Sequence, residues 1–138
     1  MRPRRSVLLL LATLVAAAEL GCGSDHTGPS NSNPAPPPAT YALVSLENPP
    51  NPTLTPPAVT GTLVLGATTY DVTINVQGQP PTTDQGTYTI SGSNWTQTST
   101  TNQGVQSSGT FTYNQTTGML SVDVTAVGVR TITVWQKQ

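Results

Sequence analysis

The sequence is poor in the side chains that most often carry catalysis and metal binding. Its 138 residues include one cysteine, one histidine and only 8% charged residues. A single cysteine forms no disulfide within the chain, so a hydrophobic core must hold any folded domain together. The histidine, His26, falls in a polar segment where no third group would fix its ring for a catalytic triad. We therefore expect no enzymatic activity, no metal site and no cofactor.

Positive charge is scarce beyond the N-terminus. After residue 22, two basic side chains, Arg130 and Lys137, remain against five acidic ones, which gives a net charge of −3. Without a basic patch to neutralise phosphates, we expect no nucleic-acid partner. The carboxylates after residue 40 are expected on polar strand faces or at loop borders, as solvated charges rather than as a catalytic pair. They are Glu47, Asp71, Asp84 and Asp123.

The N-terminus has the organisation of an export signal. Arginines at positions 2, 4 and 5 precede Val7–Ala18, an apolar run too short to span a bilayer comfortably. Cys22 follows directly after a glycine, which resembles the lipobox of bacterial lipoproteins. The resemblance implies a signal peptide over residues 1–21, lipid attachment at Cys22, and a bacterial envelope location, in the outer membrane where one exists. The alternative is an ordinary secretory signal cut near Ala16–Ala18, which leaves Cys22 as a free thiol.

The remaining chain divides into two parts. Residues 22–40 are rich in proline and serine and have no apolar periodicity, which predicts a disordered tether. From Tyr41 to the last residue, 138, apolar and polar residues alternate in short segments, which predicts antiparallel strands with one buried face. We expect eight strands: Tyr41–Glu47, Val59–Gly66, Thr69–Val76, Gly86–Ser91, Asn94–Thr100, Ser108–Asn114, Met119–Ala126 and Val129–Gln136. Their expected core is Leu63, Leu65, Val72, Ile74, Ile90, Phe111, Leu120, Val122, Ile132 and Val134.

The connections between these strands alternate in length. Those after even strands are tight turns, whereas three of the four after odd strands are long: residues 48–58, 77–85 and 101–107. A Gly-Thr-apolar motif also recurs at Gly61, Gly86 and Gly109, one hairpin apart. This arrangement predicts an all-β, eight-stranded antiparallel up-and-down barrel with the long loops at one end, and closure leaves no sheet edge. An Ig-like β-sandwich is the alternative.

The strand pattern resembles the lipocalin-like domains of bacterial lipoproteins. The likeness rests on short segments that include Tyr41–Leu46, Gly86–Gly92, Gly109–Tyr113, Leu120–Val124 and Thr131–Trp135. It implies a calycin-type barrel, attached to a membrane by its lipid, whose interior binds a small apolar molecule. The alternative is a structural or adhesive surface lipoprotein with a filled core, acting through its polar loops. Candidate ligand contacts, each of which would otherwise fill the core, are Tyr70, Tyr88, Trp95, Phe111 and Tyr113.

Overall fold

The computed structural model of the chain describes residues 33–138, so the predicted signal peptide, Cys22 and most of the predicted tether lie outside the described residues. Residues 39–137 form eight antiparallel strands in one closed barrel. Each strand pairs with its neighbours in sequence, and the last strand returns to the first. The predicted up-and-down barrel is thereby confirmed over the sandwich. The strands are β1 Ala39–Glu47, β2 Val59–Leu65, β3 Thr69–Val76, β4 Thr82–Ser91, β5 Asn94–Ser99, β6 Gln106–Asn114, β7 Met119–Ala126 and β8 Val129–Lys137.

Three strands begin earlier than the alternation predicts, and the first of them is β1, which begins at Ala39 instead of Tyr41. β4 begins at Thr82 instead of Gly86, and β6 begins at Gln106 instead of Ser108. Among the residues added to β4 and β6, Asp84 and Ser107 point into the barrel interior, and both have polar side chains. An apolar–polar pattern does not mark a strand whose inward residues are polar.

The core is formed by inward side chains from every strand. Leu63, Leu65, Phe111, Leu120 and Val122 are buried as predicted, and Val72, Ile74 and Ile90 are half-buried against them. The prediction was wrong for Ile132 and Val134, which alternate with the buried Thr133 and Trp135. The core also contains Tyr41, Leu43, Leu46, Val59, Tyr70, Tyr88, Trp95, Tyr113 and Trp135.

The error in β8 has its cause in the register of the last hairpin. The two-residue turn after β7 pairs Ala126 with Val129, and from there Val122 faces Thr133. Directly paired residues of an antiparallel sheet point to the same face. Since Val122 points inward, Thr133 must point inward as well. Ile132 and Val134 therefore lie on the outer face of β8.

The two ends of the barrel differ as strand parity predicts. The turns after β2, β4 and β6 lie at one end, here called the turn end. The connections after β1, β3, β5 and β7 lie at the other, the loop end, and they span residues 48–58, 77–81, 100–105 and 127–128. The first of these loops folds back along β1, where Leu54 and Leu46 exchange backbone hydrogen bonds of 2.8 and 3.0 Å.

The turn end is covered by residues 33–38, here called the strap. The side-chain amide of Asn33 donates to the carbonyl of Phe111, and its oxygen accepts from the backbone N–H of Tyr113 at 2.9 Å. Pro36 is buried, and the strap lies beside the β2–β3 turn and β4 before it enters β1. These residues fall in the stretch for which the sequence predicts a tether, and here they contact the barrel.

Candidate functional site

A cavity of about 130 Å³ lies inside the barrel. Of its lining residues, Ile74, Gln97, Val124 and Thr131 lie in the parts of their strands that run toward the loop end, and the others lie near the middle of their strands or toward the turn end. The lining is mainly apolar, with an amide and two hydroxyls from Gln97, Thr131 and Thr133. The apolar and aromatic members are Leu63, Tyr70, Val72, Ile74, Trp95, Val122, Val124 and Trp135.

The two tryptophans of the chain both line this cavity. The indole N–H of Trp95 donates to Oε1 of Gln97 at 2.9 Å, and that of Trp135 donates to Oγ1 of Thr133 at 2.8 Å. Each bond joins residues two apart on one strand, so each ring is held by its own inward neighbour. The two rings are therefore fixed before any guest enters.

Beneath Trp95 the interior is filled by other aromatic rings. Tyr88 stacks on Trp95 with ring centroids 4.5 Å apart, and Phe111 meets Trp95 edge-on at 5.9 Å. The hydroxyl of Tyr88 donates to the carbonyl of Gly66 at 2.9 Å, and that of Tyr41 donates to Pro37 in the strap at 2.8 Å. Burial raises the pKa of both phenols above the usual value. The turn-end half is thus packed and its polar atoms are satisfied.

The five predicted ligand contacts divide between these two regions. Tyr70 and Trp95 line the cavity, whereas Tyr88, Phe111 and Tyr113 are buried and do not belong to its lining. Gln97 and the two threonines of β8 were not among the residues predicted from the sequence. The two-residue turn at 127–128 was the signal that would have found the β8 residues, because it fixes which face of β8 points inward.

Asp84 is not the solvated charge that the sequence predicts. It points inward from β4, is half-buried, and accepts from the hydroxyl of Tyr70 at 2.8 Å and from that of Ser99. The side-chain amide of Asn102 makes a longer contact of 3.4 Å with the same carboxylate. Burial and the hydrogen bond to Asp84 raise the pKa of Tyr70, so this phenol stays a proton donor. The cluster ties β3, β4 and β5 together at the loop end.

Two inward glycines lie at the level of the cavity. A Cβ on Gly86 would fall 2.0 Å from the carbonyl oxygen of Thr98, and one on Gly109 would fall 1.9 Å from that of Asp123. Neighbouring backbones approach too closely there for any side chain. The Gly-Thr motif of the sequence therefore marks places where even strands curve tightly, and those places carry no side chain into the lumen.

The remaining charged groups of residues 33–138 are spread over the outer surface. Arg130 binds Asp123 through two hydrogen bonds of 2.7 and 2.9 Å and holds the pKa of that carboxyl below its usual value. Within this range no group of three histidine, cysteine or acidic side chains is arranged to hold a metal ion. The same residues include no helix long and apolar enough to cross a bilayer.

The comparisons with known proteins identify the fold. No family model matches the chain, and no curated protein does. Among solved structures, a redesigned β-barrel, mFAP1, bound to DFHBI, superposes with a TM-score of 0.50 at 17% identity, covering 72% of this chain and 94% of that one. A point mutant of the fluorescent protein UnaG gives a TM-score of 0.39 at 12% identity with the same coverage. The fold of the described residues is that of a closed, eight-stranded antiparallel barrel.

Proposed function

We propose that this protein is a binding module for a small, mainly apolar molecule, held in the cavity at the loop end. The observation that carries the proposal is the partly open space between Trp95, Trp135 and Tyr70, with a few hydrogen-bonding groups in a mainly apolar lining. Sites for small molecules have this composition. The redesigned barrel mFAP1, which shares the fold, binds DFHBI.

The cavity volume limits the size of the guest. Apolar cavities of about 150 Å³ hold benzene, and this cavity measures about 130 Å³. The proposed ligand therefore has one ring or an aliphatic body of similar size. Larger molecules would require movement of the loops at 48–58 and 77–81.

The proposal also places the module in a bacterial envelope, anchored through a lipid on Cys22. Support comes from the lone cysteine after an export signal. Two or more acyl chains hold a protein stably on a membrane. Replacing Cys22 with alanine is then expected to move the protein from the membrane fraction to the soluble fraction. Unchanged partition would refute the anchor and leave the binding proposal standing.

Tryptophan fluorescence tests the binding proposal directly, since both tryptophans line the cavity. Titration with single-ring probes such as benzyl alcohol is expected to change the emission and to saturate. Val124→Phe places a ring in the cavity and is expected to weaken binding at least about tenfold. Val64→Phe is the matched control, because Val64 faces outward and is 46% exposed.

The outcome that contradicts the proposal is equally plain. If no probe saturates the emission change, or if both valine variants weaken binding equally, the cavity is not a ligand site. The loops at the loop end would then be the working surface, as the adhesive alternative requires. An enzymatic role has no support in the described residues, because the carboxylate of Asp84 is held by Tyr70, Ser99 and Asn102 and residues 33–138 contain no histidine or cysteine to act with it.

A further inference from the structure

Among residues 33–138, no basic side chain pairs with the carboxylate of Asp84. Its partners are two hydroxyls and an amide, all of them uncharged. The described residues contain two basic side chains after the strap, and neither reaches this carboxylate. Arg130 is bound to Asp123, and Lys137 lies at the turn end of β8. A half-buried carboxylate without a cation is an acceptor for one.

The position of Asp84 links this charge to the cavity. Its hydrogen-bond partner Tyr70 and its cross-strand neighbour Val72 both line the cavity wall. Val72 and Asp84 lie nearer the loop end than Tyr70 does. The carboxylate does not belong to the cavity lining itself. It points inward beside Val72, on the side of the long loops, and it also borders a polar recess with Asp71 and Thr83.

The cavity wall also favours a positively charged ligand. Trp95, Trp135 and Tyr70 present three aromatic rings, whose faces attract ammonium groups. No lysine or arginine lines the cavity, so a carboxylate or phosphate would meet no partner there. The weakest contact of Asp84, the 3.4 Å bond from exposed Asn102, is the one that an entering ammonium group would replace.

We propose that the ligand is a small organic amine, bound as its ammonium ion with its apolar body among the aromatic side chains of the cavity and its charge at Asp84. This inference rests on the proposed binding function and specifies its ligand class. The bond between Tyr70 and Asp84 then positions the carboxylate, and Gln97 and the threonines of β8 supply further hydrogen-bonding groups. Cation–π attraction and the charge-assisted hydrogen bond act together only on a cationic guest.

The test uses three probes of one shape and different charge: benzylamine, benzyl alcohol and benzoate. Binding to the mature chain is measured by calorimetry and by tryptophan emission at neutral pH. We expect benzylamine to bind about tenfold more tightly than benzyl alcohol, and benzoate to bind least. Asp84→Asn is expected to lower the affinity for benzylamine about tenfold and to change the affinity for benzyl alcohol by less than about twofold. Asp123→Asn, on the outer face of β7, is the control and should change neither affinity.

Each result decides the question. Equal affinity for benzylamine and benzyl alcohol would overturn the amine inference and leave the binding module intact. An equal loss of benzylamine affinity in both aspartate variants would also overturn it. If none of the probes binds, the proposed function fails together with its ligand class. If Asp84→Asn does not fold, the salt dependence of binding to the wild-type protein decides the question. Added salt is expected to lower the affinity for benzylamine and to leave the affinity for benzyl alcohol unchanged. An equal effect of salt on both affinities would refute the ion pair.

Discussion

The two halves of the barrel are built from the same strands and serve different purposes. At the turn end, large rings fill the interior, and the hydroxyls of Tyr41 and Tyr88 are bound by backbone carbonyls. Toward the loop end, several inward positions carry small or polar residues, among them Ser99, Ser107 and Thr133, alongside the buried Leu46 and Val59. Eight strands make a barrel just wide enough for side chains to fill. Space therefore opens only where those side chains become small.

Under the proposed function, stability and ligand binding depend on separate regions of the barrel. The packed half has the aromatic contacts and the strap, so changes of side-chain volume there are expected to lower stability. The other half leaves room beside Trp95 and Trp135 and holds the carboxylate of Asp84. A protein arranged in this way can vary its ligand site without losing its fold. The following predictions test that separation.

The largest expected effect comes from opening a cavity in the packed half. Phe111 is 2% exposed and touches Trp95, so Phe111→Ala should lower the free energy of unfolding by about 3–5 kcal/mol. Val124→Ala, beside the existing cavity, should cost about 1 kcal/mol or less, because its side chain already lacks neighbours on one side. Urea unfolding followed by circular dichroism measures both. Similar losses would mean that the halves are equally packed.

Adding side-chain volume should also destabilise the packed half more than the loop-end half. Leu120 is fully buried, and Leu120→Phe forces its neighbours out of place at a cost of about 1–3 kcal/mol. Val124→Phe grows into empty space and should change stability by less than about 1 kcal/mol. The midpoints of urea unfolding report the difference. A larger loss of stability in Val124→Phe than in Leu120→Phe would show that the tightly packed region lies at the loop end instead of the turn end.

The strap gives a smaller, local test of the turn end. Asn33→Ala leaves the carbonyl of Phe111 and the N–H of Tyr113 without their partner, which should cost about 1–2 kcal/mol. Asn51→Ala, on an exposed position of the first long loop, is the control and should stay within about 0.5 kcal/mol. Thermal unfolding of both variants compares them. No loss for Asn33→Ala would show that the strap does not hold the turn end.

The last variant should raise stability. Val127 has a φ of +49° and is 86% exposed, although branched residues strongly disfavour this conformation. Val127→Asn should stabilise the chain by about 1 kcal/mol, since asparagine suits this turn position. Val129→Asn, next to the turn but within β8, should give no gain. If Val127→Asn destabilises instead, the exposed valine makes a contact that the fold does not account for.

Much of the fold follows from local patterns in the sequence. Alternation gave all eight strands in order, and the alternating loop lengths gave the two ends. The pattern failed where inward residues are polar, at Asp84, Ser107 and Thr133, because periodicity detects an apolar face and not the interior itself. In β8 the hydrophobic residues Ile132 and Val134 even favoured the wrong face, which only the hairpin register corrects.

The candidate site was less accessible to the same reasoning. Tyr70 and Trp95 were recognised as inward aromatics, but nothing local distinguishes them from Tyr88 or Phe111, which fill the packed half. A cavity is the volume left between side chains of several strands, so it depends on their joint register. The role of Asp84 depends likewise on Tyr70 and Ser99, which come from two other strands.

The most direct test of the central claim is a crystal structure of the protein pressurised with xenon, since xenon enters apolar cavities of this size. The account predicts xenon between Trp95 and Trp135, in the loop-end half, and none among Tyr41, Tyr88 and Phe111 in the packed half. An interior without xenon, or xenon in the packed half, would contradict the division on which the proposed binding site depends.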